Sequence, residues 1–231
     1  MVEELVSGAR ALGLTLNEAQ IAAFARYGEL LVEKNAVMNL TAITAPDEIA
    51  RLHFLDSLAL LTLADFRDKK VVDIGCGAGF PGVPLLIGEP SIQLSLLDST
   101  AKRMQWLSDE LLPALGLEAE CLTGRAEELI EGRRESCDLC VSRAVARLNM
   151  LCELCLPYVR VGGSFLAMKG PRADDEVREA QKAIKLLGGS IREVAEYPVG
   201  DAVHRVVIID KVRPTPAKYP RRFAKIKQQP L

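Results

Sequence analysis

Two carboxylates frame a glycine-rich turn in this chain, and together they define a binding chemistry. The stretch Val71-Val72-Asp73-Ile74-Gly75-Cys76-Gly77-Ala78-Gly79-Phe80-Pro81-Gly82 begins as a short β-branched strand, places glycines at three alternate positions, and continues into a run that can open a helix. Glycine there lets the backbone turn sharply and admits a ligand where a Cβ would clash. A second acid, Asp98, follows about twenty-five residues later at the end of the strand-like run 92–97. A carboxylate at the end of a second parallel strand can accept both hydroxyls of an adenosine ribose. Two cofactors compete for such a loop. The dinucleotide pattern G-x-G-x-x-G runs from Gly77 through Gly79 to Gly82, but it starts late, since that fingerprint begins at the strand end, here Gly75. Counted from Gly75 the spacing is acid-x-G-x-G-x-G, the pattern associated with S-adenosylmethionine, with Asp73 able to engage its α-amino group directly or through water.

Further candidates fall at the ends of later strands. Residues 118–122 read as a third strand, and the loop after it places the backbone of Ala126 and the side chain of Glu127 where an adenine edge would lie. Residues 138–142 read as a fourth strand ending at Arg143, whose small apolar neighbours favour a cofactor or substrate contact over a surface ion pair. Residues 164–168 read as a fifth strand ending at Lys169, a candidate for RNA phosphate. His53 and Asp56, three apart on one helix face, read as a surface pair or a half-buried histidine bonded to backbone, or else as part of an active-site wall or an ion pair. The C-x-x-C pairs Cys137/Cys140 and Cys152/Cys155 lack the Gly or Pro of a metal knuckle and the usual ribbon spacing. They read as small buried hydrophobes, so no metal is expected.

The elements that must position these groups alternate. The first sixty residues look helical. One helix is capped by Asn17, and a second starts near Pro46 with Asp47 and Glu48 at its positive end. Strands and helices then alternate, with helices over 101–115, 148–158 and 174–187 and a turn at Gly162-Gly163. The strands 191–197 and 204–209 form a hairpin at one sheet edge. Lys102 and Arg103 read as solvated. The pattern predicts an α/β fold: a Rossmann-like, doubly wound, seven-stranded, mostly parallel sheet with a terminal antiparallel hairpin and an N-terminal helical extension. The expected organisation is a helical cap over 1–65, a cofactor-binding core over 66–212 and a basic tail over 213–231.

The 231 residues are 49% hydrophobic and 26% charged, ordinary for a packed globule. No apolar run has the length of a membrane helix, and the Met-Val-Glu-Glu start does not resemble a secretory signal, so a cytoplasmic protein is expected. The net charge is −2, yet Lys211–Leu231 holds seven basic residues and no acid. A basic tail on an acidic body suits a polyanion, nucleic acid first, or a solvated terminus. Nothing demands an oligomer, so a monomer is expected.

The chain resembles the RsmG (GidB) family. The residues that carry the resemblance are Asn39-Leu40-Thr41-Ala42-Ile43, His53-Phe54-Leu55-Asp56-Ser57-Leu58, the Asp73–Gly82 loop, Leu97-Asp98-Ser99, Ser142-Arg143-Ala144, Met168-Lys169-Gly170 and Tyr219-Pro220-Arg221-Arg222. The resemblance implies a class I S-adenosylmethionine-dependent enzyme that methylates N7 of one guanine in 16S ribosomal RNA, free or in a small-subunit precursor. It matches Gly75, Phe80, Ala126, Glu127 and Arg143 to the family's cofactor positions. From the residues themselves come Asp73, Gly77 and Asp98 for the cofactor and Lys169, Arg221 and Arg222 for RNA. The segment 223–229 departs from the family in lacking a glycine and a proline after the Arg-Arg pair. No catalytic acid or base is evident, which suits N7, a lone-pair nucleophile without a proton. Two other readings stay open: a nucleotide-binding regulatory protein without turnover, and an NAD-dependent oxidoreductase.

Overall fold

A computed structural model describes residues 1–143, 146–200 and 202–231. Seven strands form one sheet: β1 (Lys70–Ile74), β2 (Gln93–Asp98), β3 (Glu120–Thr123), β4 (Cys137–Arg143), β5 (Val159–Lys169), β6 (Gly189–Val199) and β7 (Ala202–Lys211). Their order is β3-β2-β1-β4-β5-β7-β6. The pairs β1–β2, β1–β4, β2–β3 and β4–β5 are parallel, whereas β7 runs antiparallel to both β5 and β6. The strand order reverses between β1 and β4, and ligands of open α/β sheets bind in the crevice beyond the strand ends at such a point.

Successive side chains of each strand face opposite sides of the sheet, so the chain builds two apolar layers. Val71, Leu94, Leu96, Val141 and Leu166 face one side. There they meet the N-terminal helices α1 (Val2–Ala11) and α2 (Glu18–Met38) and the helical run α3 (46–62). They also meet α4 (Gly82–Gly88) and the run α5 (101–115). Val72, Cys140, Phe165, Ala167 and Val207 face the other side, toward α6 (Leu148–Cys155), α7 (Ala173–Leu186) and the C-terminal helix α8 (Phe223–Gln228). The N-terminal helices therefore share a core with the sheet. The start of α2 is a reciprocal capping box, with Asn17 accepting from the Gln20 N–H at 2.9 Å and Gln20 accepting from the Asn17 N–H at 2.9 Å.

Three local expectations change. Gly162 and Gly163 do not make a turn; they lie inside β5, beside a register shift in its pairing with β4. A Cβ at Gly163 would sit 2.3 Å from the Asp138 carbonyl oxygen, so glycine permits the close strand approach there. The helix expected over 148–158 stops at Cys155 and continues as the 3-10 turn Leu156–Tyr158, where Pro157 cannot donate to the helical ladder. The tail is not a free extension: α8 inserts Ile226, fully buried, into the second apolar layer.

Candidate active site

The turn from β1 into α4 is held from both ends. Gly75 and Gly77 take positive φ values of 75° and 57°. The Gly75 N–H donates to the Leu97 carbonyl at 2.7 Å, and the Gly77 N–H donates to the Asp98 carboxylate at 3.0 Å. A Cβ built on Gly77 meets nothing within 4 Å, so the loop leaves open space at that point. Gly82 has a different purpose. Its N–H donates to Asp73 Oδ2 at 2.8 Å, and a Cβ there would lie 2.9 Å from that oxygen. Gly82 thus packs the start of α4 tightly against β1 and β2 and leaves its N–H on the strand acid. From the N-terminal side, the buried Tyr27 hydroxyl donates to the Ala78 carbonyl at 2.6 Å, and the Tyr27 ring stacks on Phe80 with centroids 5.3 Å apart.

A cavity of about 470 Å³ opens over this loop at the carboxyl ends of β1, β2 and β4. Gly75, Gly77, Phe80, Asp98, Ala126, Glu127 and Arg143 all line it. Asp73, the eighth cofactor candidate, does not. It is fully buried behind the loop, Oδ1 has no hydrogen-bond partner among the described residues, and burial raises its pKa to about 7. The sign of the consequence is fixed. Between about pH 4 and pH 7 the folded chain keeps a proton that the unfolded chain releases, so Asp73 lowers stability as pH rises across that window. Asp73→Asn is expected to flatten this fall in urea midpoints measured from pH 4 to pH 8; an unchanged slope would contradict the assignment.

Asp98 lines the cavity. Oδ2 accepts from Gly77 and Oδ1 accepts from the Thr100 N–H at 2.8 Å. Each carboxylate oxygen has a second lone-pair site. Arg103, expected to be solvated, lines the same cavity. Glu127 is half-buried and its pKa is raised, chiefly by desolvation; the Phe223 N–H contributes in the opposite sense. Phe223 closes this end: it lines the cavity, and the Arg125 guanidinium lies 4.4 Å from its ring centroid. No local pattern marked Phe223 as a site residue, because the tail reached the site only through its fold. Removing an aromatic wall of this kind changes affinity by about 0.5–1.5 kcal/mol. Phe223→Ala is therefore expected to weaken cofactor binding by about 2- to 10-fold in calorimetry.

The other end of the cavity is a buried polar network: His53 and Asp56 are not a surface pair, but His53 does meet backbone and lines the cavity, and Asp56 is in an ion pair. Both residues are buried, at 7% and 6% exposure. The π-turn Ala50–Leu55 within α3 presents the Leu52 carbonyl to Arg143 Nη1 at 3.2 Å. Asp56 Oδ2 accepts from the same nitrogen at 3.1 Å, and Asp56 Oδ1 accepts from the Tyr197 hydroxyl at 2.6 Å and from His204 Nδ1 at 2.8 Å. Arg143 Nη2 lies 3.2 Å from His53 Nδ1. The same Nδ1 lies 3.1 Å from the Leu52 carbonyl, and Nε2 meets Thr41 Oγ1 at 2.8 Å. Burial first and Arg143 second lower the His53 pKa to about 4, leaving it neutral near pH 7. Phe80 packs between these groups, with the His53 ring 4.5 Å and the Arg143 guanidinium 4.8 Å from its centroid. Ala144, of the Ser142-Arg143-Ala144 motif, lies outside the described residues.

Two of the three RNA candidates are engaged internally. The Lys169 side chain is 6% exposed, donates to the Ala146 carbonyl at 2.6 Å and pairs with Glu176 at 2.8 Å. Arg221 makes a two-pronged pair with the fully buried Glu153, at 2.8 and 2.6 Å, which clamps the tail to α6. Arg222 is exposed and has no ion pair among the described residues. The paired cysteines of β4 and α6 lie in one apolar layer, and burial raises the thiols of Cys140 and Cys152.

A glycine loop after β1, an acid after β2 and a cavity at the β1/β4 reversal, on a sheet with one antiparallel strand near its edge, define a class I S-adenosylmethionine-dependent methyltransferase. The residues fit that cofactor: the loop leaves room at Gly77, and Asp98, Glu127 and Arg143 line the cavity beside it. Solved structures share the fold. TrmN from Thermus thermophilus superposes with a TM-score of 0.55 at 22% identity, covering 68% of this chain and 48% of that one. The ribosomal protein L11 methylase from Lactobacillus delbrueckii subsp. bulgaricus gives 0.53 at 14% identity, covering 70% and 80%. The family described as GidB, rRNA small subunit methyltransferase G, matches residues 20–201. Two relatives named Ribosomal RNA small subunit methyltransferase G match along nearly their whole length. The one from Alkaliphilus oremlandii is 42% identical, covering 98% of this chain and 97% of its own. The one from Thermoanaerobacter sp. (strain X514) is 44% identical, covering 100% and 98%. The chain belongs to the rRNA small subunit methyltransferase G family.

Proposed function

We propose that this protein transfers the methyl group of S-adenosylmethionine to N7 of a guanine in small-subunit ribosomal RNA, acting as a monomer in the cytoplasm on 16S RNA or a precursor particle. The observation that supports the reading most is the cavity at the β1/β4 reversal, lined by Gly75, Gly77, Asp98, Glu127 and Arg143, in a chain that aligns end to end with relatives bearing that name. Bound there, S-adenosylmethionine supplies an electrophilic methyl group on a sulfonium.

The chain's own residues bind and orient. Asp98 accepts the ribose hydroxyls, the Ala126 backbone and Glu127 side chain meet the adenine, and Asp73 acts behind the loop, holding it through the Gly82 N–H. Arg143, fixed by Asp56 and Leu52, stands at the boundary between this cavity and the space beyond β4. Guanine N7 carries an in-plane lone pair and no proton, so attack needs no general base. His53, an imidazole lining the cavity, is neutral, with Nδ1 beside Arg143 and the Leu52 carbonyl and Nε2 on Thr41, and it packs against Arg143 without taking a proton. Catalysis is then positioning and exclusion of water. Arg222, Lys225 and Lys227 on the exposed side of the tail supply phosphate contacts.

Calorimetry with S-adenosylmethionine and NAD, followed by incubation with methyl-labelled cofactor and unmethylated small-subunit RNA or particles, tests the reading. Selective binding of S-adenosylmethionine with label in RNA is expected. Binding without transfer to either substrate would identify a regulatory protein instead.

A further inference from the structure

A second cavity, about 670 Å³, lies where the tail meets the loop after β3. The loop supplies Arg125, Glu127 and Glu128 to its walls, and the tail supplies Arg222, Phe223 and Lys227. Its positive charge is uncommitted. The side chains of Arg125, Arg222 and Lys227 are exposed and make no ion pair or hydrogen bond among the described residues. Other arginines of this chain do find carboxylates: Arg133 pairs with Glu120 at 2.8 Å, Arg160 with Asp138 at 2.7 Å, and Arg221, the residue before Arg222, with Glu153 at 2.6 Å. Glu127 lines the cofactor cavity as well, which leaves Glu128 against three cations on the tail side. Like charges that converge on one concave surface repel, and an anion placed between them relieves the repulsion.

The two cavities share a wall. Arg125, Glu127 and Phe223 line both, and the Arg125 guanidinium lies 4.4 Å from the Phe223 ring centroid. Stacking uses the face of a guanidinium and leaves its N–H edge to donate in plane. The tail is anchored on either side of Phe223, by Arg221 on Glu153 and by the buried Ile226, whereas Phe223 itself is only half-buried.

We propose that the tail cavity is an RNA subsite that takes a backbone phosphodiester between Arg125, Arg222 and Lys227, and that its occupation tightens cofactor binding through the shared Arg125–Phe223 wall. The inference rests on the RNA-methylation reading above and adds to it a contact from Arg125 and a linkage between the two ligands. A phosphate oxygen accepts charge-assisted hydrogen bonds, and guanidinium forks match its geometry. A phosphate that accepts from Arg222 on the tail and Arg125 on the loop bridges the two segments. Arg222 immediately precedes Phe223, so the bridge holds the ring against the cofactor cavity. Phe223 and Arg143 close opposite ends of that cavity, so this phosphate belongs to a stretch of RNA remote from the acceptor base. The linkage is reciprocal: RNA tightens the cofactor by the same factor as the cofactor tightens RNA.

The test uses S-adenosylhomocysteine, which has no methyl group to transfer. It is titrated into the protein alone and into the protein saturated with unmethylated small-subunit RNA. The wild type is expected to bind it at least about fivefold more tightly with RNA present. RNA affinity is then measured across a salt series. Arg125→Ala and the double variant Arg222→Ala/Lys227→Ala are each expected to flatten the dependence of log affinity on log salt, by about 0.7–0.9 for each phosphate contact removed. Phe223→Ala removes no charge, so it is expected to keep the wild-type salt slope and to lose most of the gain that RNA gives. That gain is a ratio within one protein, so general damage to folding cancels. Equal cofactor affinities with and without RNA in the wild type would overturn the linkage. Wild-type salt slopes in both charge variants would overturn the phosphate site. Incubation of the wild type with methyl-labelled cofactor separates these failures from failure of the underlying reading: label in RNA leaves RNA methylation standing while the subsite falls, and absence of label overturns RNA methylation itself.

Discussion

Asp56→Ala is expected to destabilise the chain by about 3–5 kcal/mol, the range for removing one member of a buried ion pair. Asp56 is 6% exposed and accepts from Arg143, Tyr197 and His204. Its carboxylate stays ionised: its pKa is lowered because the hydrogen bonds and charges of His204, Arg143 and Tyr197 outweigh a desolvation effect that alone would raise it. Truncation strands a guanidinium, a phenol and an imidazole in a low-dielectric pocket, and none has an alternative carboxylate within the network. The measurement is the shift of the urea midpoint at constant m-value. A loss below about 1 kcal/mol would show that water or a neighbour replaces the carboxylate readily. Asp56→Asn keeps the volume and one acceptor oxygen, so a smaller loss is expected.

Asp98→Ala is expected to weaken S-adenosylmethionine binding by about 100-fold while the fold survives. Two hydrogen bonds from ribose hydroxyls to a charged acceptor contribute about 1.5–3 kcal/mol each before reorganisation, and about 2.7 kcal/mol corresponds to 100-fold. The substitution also frees the N–H groups of Gly77 and Thr100, which loosens the loop that the cofactor needs. Calorimetry at fixed pH reads the effect directly. An affinity equal to that of the wild type would refute ribose binding at Asp98 and leave the residue as an anchor of the loop alone.

Much of the site was legible because it is written locally. An acid inside a β-branched run followed by alternate glycines needs no distant partner to be recognised, and Asp98 lies at the end of a short strand whose length sets its position. Gly75, Gly77, Phe80, Asp98, Ala126, Glu127 and Arg143 accordingly come together around one cavity. The seven-stranded sheet with its edge hairpin followed from the same alternation.

What escaped the sequence depends on partners brought in by the fold. Lys169 reads as a free cation until α7 brings Glu176 to 2.8 Å. Arg221 reads as part of a basic tail until Glu153, an acid within an apolar helix, proves to be its buried counter-ion. Tyr197 and His204 meet Asp56 across more than 140 residues of chain, and no periodicity in a hairpin announces that. Phe223 follows a segment whose composition suggested only charge, yet its ring walls the cofactor cavity. Charge and spacing describe a residue's own element, whereas burial and pairing belong to the pair of elements that pack.

The central claim is methyl transfer to guanine N7, and one measurement reaches it most directly. Small-subunit RNA treated with the protein and S-adenosylmethionine is reduced and exposed to conditions that cleave the chain at N7-methylguanine, and the fragments are mapped. The account predicts a single cleavage at one guanine, dependent on both protein and cofactor. Label incorporated into RNA without any cleavage, showing methylation at another atom, would contradict it.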